Sequence, residues 1–134
     1  MRSREQEDSL WVVSDDAEFC EHVREVLEDQ LLPIRVIARD GVMKQGFWRE
    51  TEVLPGAVLL DPDEDLDWAA SVLRDIKRAH IRSPVIVAAR EMDKDFGTKI
   101  VSEGVSYLLL RDFEPRELRE AATGLIRQSR HPLH

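Results

Sequence analysis

Short apolar runs recur along the chain, each ending in polar residues and each followed by a stretch with helical spacing. They are Leu10 to Ser14, Ile34 to Ala38, Ala57 to Leu60, Val85 to Ala88 and Tyr107 to Leu110. The runs are nearly continuous in apolar residues, as expected of parallel strands covered on both faces. Between them lie amphipathic stripes: Ala17, Cys20, Val23 and Leu27; then Ala69, Val72, Leu73 and Ile76; then Leu118, Ala121, Ala122 and Leu125. Weaker helices are expected over 42–50 and 95–103, where Gly46 and Gly97 dilute the pattern. Asp16 can cap the first helix through its side-chain oxygen, and Pro115 suits the first turn of the last one. Gly41 and Gly104 mark turns. Strand and helix alternating in this way predict an α/β fold with a parallel sheet and right-handed crossovers.

The 134 residues make one domain, expected over 9–130, with a flexible lead-in at 1–8 and a short tail at 131–134. The net charge of −8 argues against nucleic acid, which needs a basic stripe. No segment approaches membrane-spanning length, and the first residues lack the apolar core of a signal peptide. The lone Cys20 excludes an internal disulfide and suggests a reducing, cytoplasmic setting. On an apolar helix stripe it reads as a buried structural thiol.

In open α/β sheets, chemistry collects at the carboxyl ends of the strands. The residues there are Ser14, Asp15 and Asp16, then Asp61, then Ala89 and Arg90, then Arg111. Acids facing arginines suggest that a cation and an anionic group meet at this end. Asp61, Asp63 and Asp65 also match the start of a calcium-binding EF-hand loop, but Leu66 and Val72 stand where that loop needs Gly and Glu. Glu64, Asp65 and Asp67 read as a solvated helix N-terminus. The four histidines show no metal spacing, and the three tryptophans read as packing residues. There is no glycine-rich phosphate loop or serine elbow.

Five strand–helix units with acids after the first and third strands resemble the receiver domain of two-component response regulators. The sequences Ala38-Arg39-Asp40-Gly41, Ser83-Pro84-Val85-Ile86-Val87 and Leu110-Arg111-Asp112-Phe113-Glu114-Pro115 support the resemblance, which runs from about Leu10 to Gln128. It implies a flavodoxin-like three-layer (βα)5 sandwich with sheet order 2-1-3-4-5. It also implies a signalling module, at most slowly self-dephosphorylating, that takes a phosphoryl group from a histidine kinase or phosphotransfer protein. On that resemblance Asp61 is the phosphoacceptor, and Arg111 is the cation that contacts the phosphoryl group. Mg²⁺ would be held by Asp15, Asp61 and the main-chain carbonyl of Asp63, with Asp16 as a further candidate. Two registers remain open for the acid pair after the first strand. Either it is Asp15-Asp16, or it is Ser14-Asp15 with Asp16 as the helix cap; matching Asp40-Gly41 and Phe19 favours the second.

The chain departs from the family pattern at several points. Ala89 stands at the switch position usually held by a Ser or Thr hydroxyl. Arg111 replaces a lysine, Leu108 occupies the aromatic switch position, and Asp112 replaces a proline. The loop after the phosphoacceptor is Asp63-Glu64-Asp65-Leu66-Asp67. These changes imply a weakened switch or, alternatively, a phosphorylation-independent docking module. A downstream protein is expected on the face formed by the fourth helix, fifth strand and fifth helix, including Phe96, Ile100 and Tyr107; a homodimer is a further expectation.

Overall fold

The computed structural model describes residues 5–91 and 94–130. Five parallel strands form the main sheet: β1 Leu10–Val13, β2 Ile34–Ile37, β3 Ala57–Leu60, β4 Val85–Ala89 and β5 Tyr107–Leu110. Their order is 2-1-3-4-5, as expected. Side chains alternate between two cores. Leu10, Val12, Ala57, Leu59, Ile86 and Leu109 pack with Phe19, Val23, Leu118 and Ala122 on one face. Trp11, Val13, Val58, Leu60, Val85 and Val87 pack with Val72, Ile76, Phe96 and Ile100 on the other. Two buried faces explain why β1 and β3 are apolar at every position.

The helices are α1 Ala17–Val26, α2 Phe47–Glu50, α3 Leu66–Arg78, α4 Lys94–Ser102 and α5 Pro115–Arg130. Each of the three sequence stripes faces a core, although Ala17 at the start of the first is exposed and Leu125 in the third is only half-buried. Over 42–50 the outcome differs from expectation. A 3₁₀ segment, Arg39–Met43, is followed by the single turn of α2. Lys44 is extended and Gly46 is left-handed at φ 81°, so no helix can run through. Phe47 and Trp48 pack with Trp11, the Trp11 and Trp48 rings stacking at 6.2 Å.

Part of the stretch read as a lead-in is built into the fold. Glu5–Gln6 pair in parallel with Val53–Leu54, and Gln6 Nε2 donates to Pro55 O and to Ser129 Oγ. The tail expected at 131–134 lies outside the described residues. Phe96 and Ile100 are not on the surface as expected: they are 3% and 0% exposed. Their i, i+4 spacing puts both on the core side of α4. The exposed apolar residues in that region are Val101, Tyr107 and Leu110. Among the described residues no helix is long and apolar enough to cross a membrane.

Candidate functional site

β1, β3, β4 and β5 end at the same side of the sheet, and their next residues are Ser14, Asp61, Arg90 and Arg111. Register does much of the positioning. Val13 pairs with Leu60, so Ser14 and Asp61 emerge side by side. Both are buried, at 3% and 2% exposure. Ser14 Oγ donates to Asp61 Oδ2 at 2.6 Å. The same Ser14 oxygen accepts from the Asp16 N–H at 3.0 Å.

Asp16 caps α1. Its Oδ1 accepts from the N–H groups of Glu18 and Phe19, and its Oδ2 accepts from Arg111 Nη2 at 2.6 Å. The Arg111 hydrogen bond, followed by the Phe19 N–H, holds the Asp16 carboxyl below the usual carboxylate range. The geometry therefore gives Asp16 the cap and Ser14 the position beside Asp61. Asp15 is exposed, and its Oδ1 accepts from the backbone N–H of Arg39 at 2.8 Å.

Arg111 holds the centre. Its backbone N–H donates to Ala89 O at 2.9 Å, which fixes its base at the top of β4 and β5. Its Nη2 also lies 3.3 Å from Asp61 Oδ2, and Nη1 lies 3.7 Å from Asp63 Oδ1. The guanidinium carbon sits 4.7 Å from the Phe19 ring centroid. The side chain is only 14% exposed, and the three carboxylates compensate its buried charge. Asp63 also pairs with Arg90, in contact with its Nε. Asp63 is left-handed, at φ 55°, and its N–H donates to Asp61 Oδ1 at 3.1 Å. Aspartate tolerates that conformation better than most residues.

Ala89 is fully buried as the last residue of β4, within the core that includes Phe96 and Ile100. Leu108 is half-buried against the same core. Tyr107 faces the other way, and its hydroxyl donates to Glu117 Oε2 at 3.1 Å.

Asp15, Asp16, Glu18, Asp61 and Asp63 border an open cleft of about 450 Å³ together with Arg39. Sequence reasoning passed over Arg39 as a site residue. It stacks on Trp68 at 4.4 Å and pairs with Asp65 at 3.5 Å. The signal was available, since Arg39 lies just past the end of β2. Asp65 and Asp67 have structural work: Asp65 Oδ1 caps α3 by accepting from the Trp68 N–H, and Asp67 pairs with Lys99. Among the described residues no three His, Cys, Asp or Glu side chains converge as a metal-binding group. Cys20 is buried, and burial pushes its thiol pKa up. His22 stacks on Phe113.

No protein-family model matches the sequence, and no curated protein resembles it at a significant level. Solved structures do. The signal receiver domain assigned to a Luxo repressor protein from Vibrio parahaemolyticus has a TM-score of 0.76 at 18% identity, over 96% of this chain and 94% of that one. The receiver domain of a signal transduction histidine kinase from Syntrophus aciditrophicus gives 0.75 at 16%, over 95% and 96%. A CheY-like response regulator from Mesorhizobium loti gives 0.68 at 22%, over 92% and 99%. The fold is that of a receiver domain. At these identities the likeness concerns the fold. Within the receiver fold, Asp61 stands at the carboxyl end of β3, in the middle of the sheet.

Proposed function

We propose that this chain is a two-component signalling receiver that accepts a phosphoryl group on Asp61 and has a weakened switch. The observation that carries the reading is the setting of Asp61: at the end of the central strand, hydrogen-bonded to Ser14, and 3.3 Å from the Arg111 guanidinium. In the transfer, an Asp61 carboxylate oxygen bonds to phosphorus as the P–N bond of a donor phosphohistidine breaks. A carboxylate is a weak nucleophile, so positioning and charge must supply the catalysis. Arg111 supplies positive charge where the phosphoryl oxygens would arrive, and its fork can contact two oxygens at once. Ser14 orients the carboxylate.

The donor set fits Mg²⁺ in a reduced form. That ion accepts one or two carboxylates and keeps several waters. Asp15, Asp61 and the Asp63 carbonyl are the donors proposed here. Asp16 is not, because its oxygens serve the α1 cap and Arg111. When bound, the ion would neutralise charge on the phosphoryl oxygens.

The switch is weakened because Ala89 has no hydroxyl to give to a phosphoryl group. A hydrogen bond to a charged group is worth about 1.5–3 kcal/mol, roughly a ten- to hundred-fold bias between two states. A second reading, a phosphorylation-independent docking module, draws support from the same alanine and from Ser14 in place of an acid. Beryllofluoride distinguishes them, its adduct on Asp61 standing in for the phosphoryl group. Saturable amide shifts around Ser14, Asp61 and Arg111, abolished in Asp61→Asn, are expected. Their absence would favour the docking module. The histidine-containing donor and a protein partner on the α4–β5–α5 face, now centred on Val101, Tyr107 and Leu110, belong to this proposal.

A further inference from the structure

We propose that Arg111 is a built-in counter-cation that competes with a divalent metal ion for the acid pocket, so that metal affinity depends on release of this guanidinium. The inference rests on the phosphoacceptor reading only for the choice of Mg²⁺ as the competing ion. Three of the five acids bordering the cleft already face Arg111: Asp16 at 2.6 Å, Asp61 at 3.3 Å and Asp63 at 3.7 Å. A single side chain spans them because the guanidinium presents Nη1 and Nη2 in a rigid fork; a lysine ammonium is a point charge without that reach.

Release of the guanidinium is opposed on several sides. Its main chain is tied to Ala89, its face lies on Phe19, and it is mostly buried. Asp61 Oδ2 receives hydrogen bonds from both Ser14 and Arg111, so a metal must displace these donors or share Asp61 Oδ1 with the Asp63 N–H. Ser14 is neutral and adds no charge to attract a cation. Among the described residues, the remaining acids at the cleft are Asp15 and Glu18, both exposed and outside the ion pairs of Arg111, with Asp15 Oδ1 accepting from the Arg39 N–H.

Arg90 provides an internal control. It carries the same charge and pairs with Asp63, yet its side chain is half exposed and, among the described residues, it makes no ion pair with Asp16 or Asp61. A general electrostatic effect would make the two arginines similar. Competition for the ligand oxygens makes them different.

The test is a titration with Mg²⁺ alone, followed by tryptophan fluorescence and calorimetry, on the native protein and on Arg111→Gln, Arg111→Lys and Arg90→Gln. Removing a unit charge a few ångströms from a dication should tighten binding by about tenfold or more in Arg111→Gln, even at a high effective dielectric. Arg111→Lys, the variant more certain to fold, should show a smaller gain, and Arg90→Gln should change affinity less than either. Unchanged or weaker binding in both Arg111 variants would overturn the proposal. An equal gain in Arg90→Gln would do the same. Because the readout is binding, failure here is distinguishable from failure of Asp61 to accept a phosphoryl group.

Discussion

Ser14 and Asp61 leave adjacent parallel strands at the same level and share a 2.6 Å hydrogen bond, both side chains buried. A hydroxyl therefore satisfies a carboxylate where a second acid would repel it. Ser14→Ala should destabilise the fold by about 1.5–3 kcal/mol, the range for losing a hydrogen bond to a charged group. A urea unfolding midpoint indistinguishable from native would show that the contact contributes nothing.

Ser14→Asp should do something different. In the absence of metal it places two carboxylates together and lowers stability. With Mg²⁺ the added charge should tighten binding. Unchanged affinity in Ser14→Asp, together with a loss in Asp16→Ala, would show that the metal donors are Asp15-Asp16 instead.

Removing Arg111 leaves carboxylates unpaired, one of them nearly inaccessible to solvent. Truncating one member of a buried pair costs about 3–5 kcal/mol; the partial exposure of Asp16 argues for the lower end in Arg111→Gln. Arg111→Lys should lose less, since charge is retained. Equal urea midpoints for these two variants would mean that the bonds, not the charge, carry the stabilisation.

The Asp16 carboxyl sets a pH dependence of known sign. Its folded pKa is depressed, so its contribution is present above the unfolded value of about 3.9 and is lost as pH falls through the lower folded value. Asp67, shifted the same way by Lys99, adds a second contribution in that acid window. Asp16→Asn keeps a competent cap but removes the ionisable carboxyl. Its urea midpoint should fall less than native between neutral pH and pH about 3. A parallel fall would exclude Asp16 as a source of acid sensitivity.

Ala89→Thr tests the switch. The hydroxyl should enlarge beryllofluoride-induced amide shifts around Tyr107 and α5, because a ligand moves an equilibrium only through its differential contacts. Ala89 is fully buried, so the larger side chain should also cost stability, about 1–3 kcal/mol if the core cannot relax. Large native shifts that Ala89→Thr does not increase would contradict a weakened switch.

The three inner strands of the sheet were legible because strands buried on both faces leave unbroken apolar runs, as in Ala57 to Leu60. The Asp16 cap was legible because capping is local. What escaped depended on contacts distant in sequence. Arg39 belongs to the cleft only because β2 lies beside β1, and the Asp63 side chain matters only because Arg90 and Arg111 arrive from other strands. The short α2 followed from the left-handed Gly46, which a diluted helix pattern does not reveal. Likeness to family surfaces puts Phe96 and Ile100 outside, whereas their own i, i+4 spacing sets them on one face of α4, and that face is the buried one.

Intact mass after incubation with acetyl phosphate and Mg²⁺ tests the central claim most directly. The native protein should gain one phosphoryl group, removable by hydroxylamine, while Asp61→Asn gains none. A native protein that takes up no phosphoryl group, or a label that persists in Asp61→Asn, would contradict the assignment of Asp61 as phosphoacceptor.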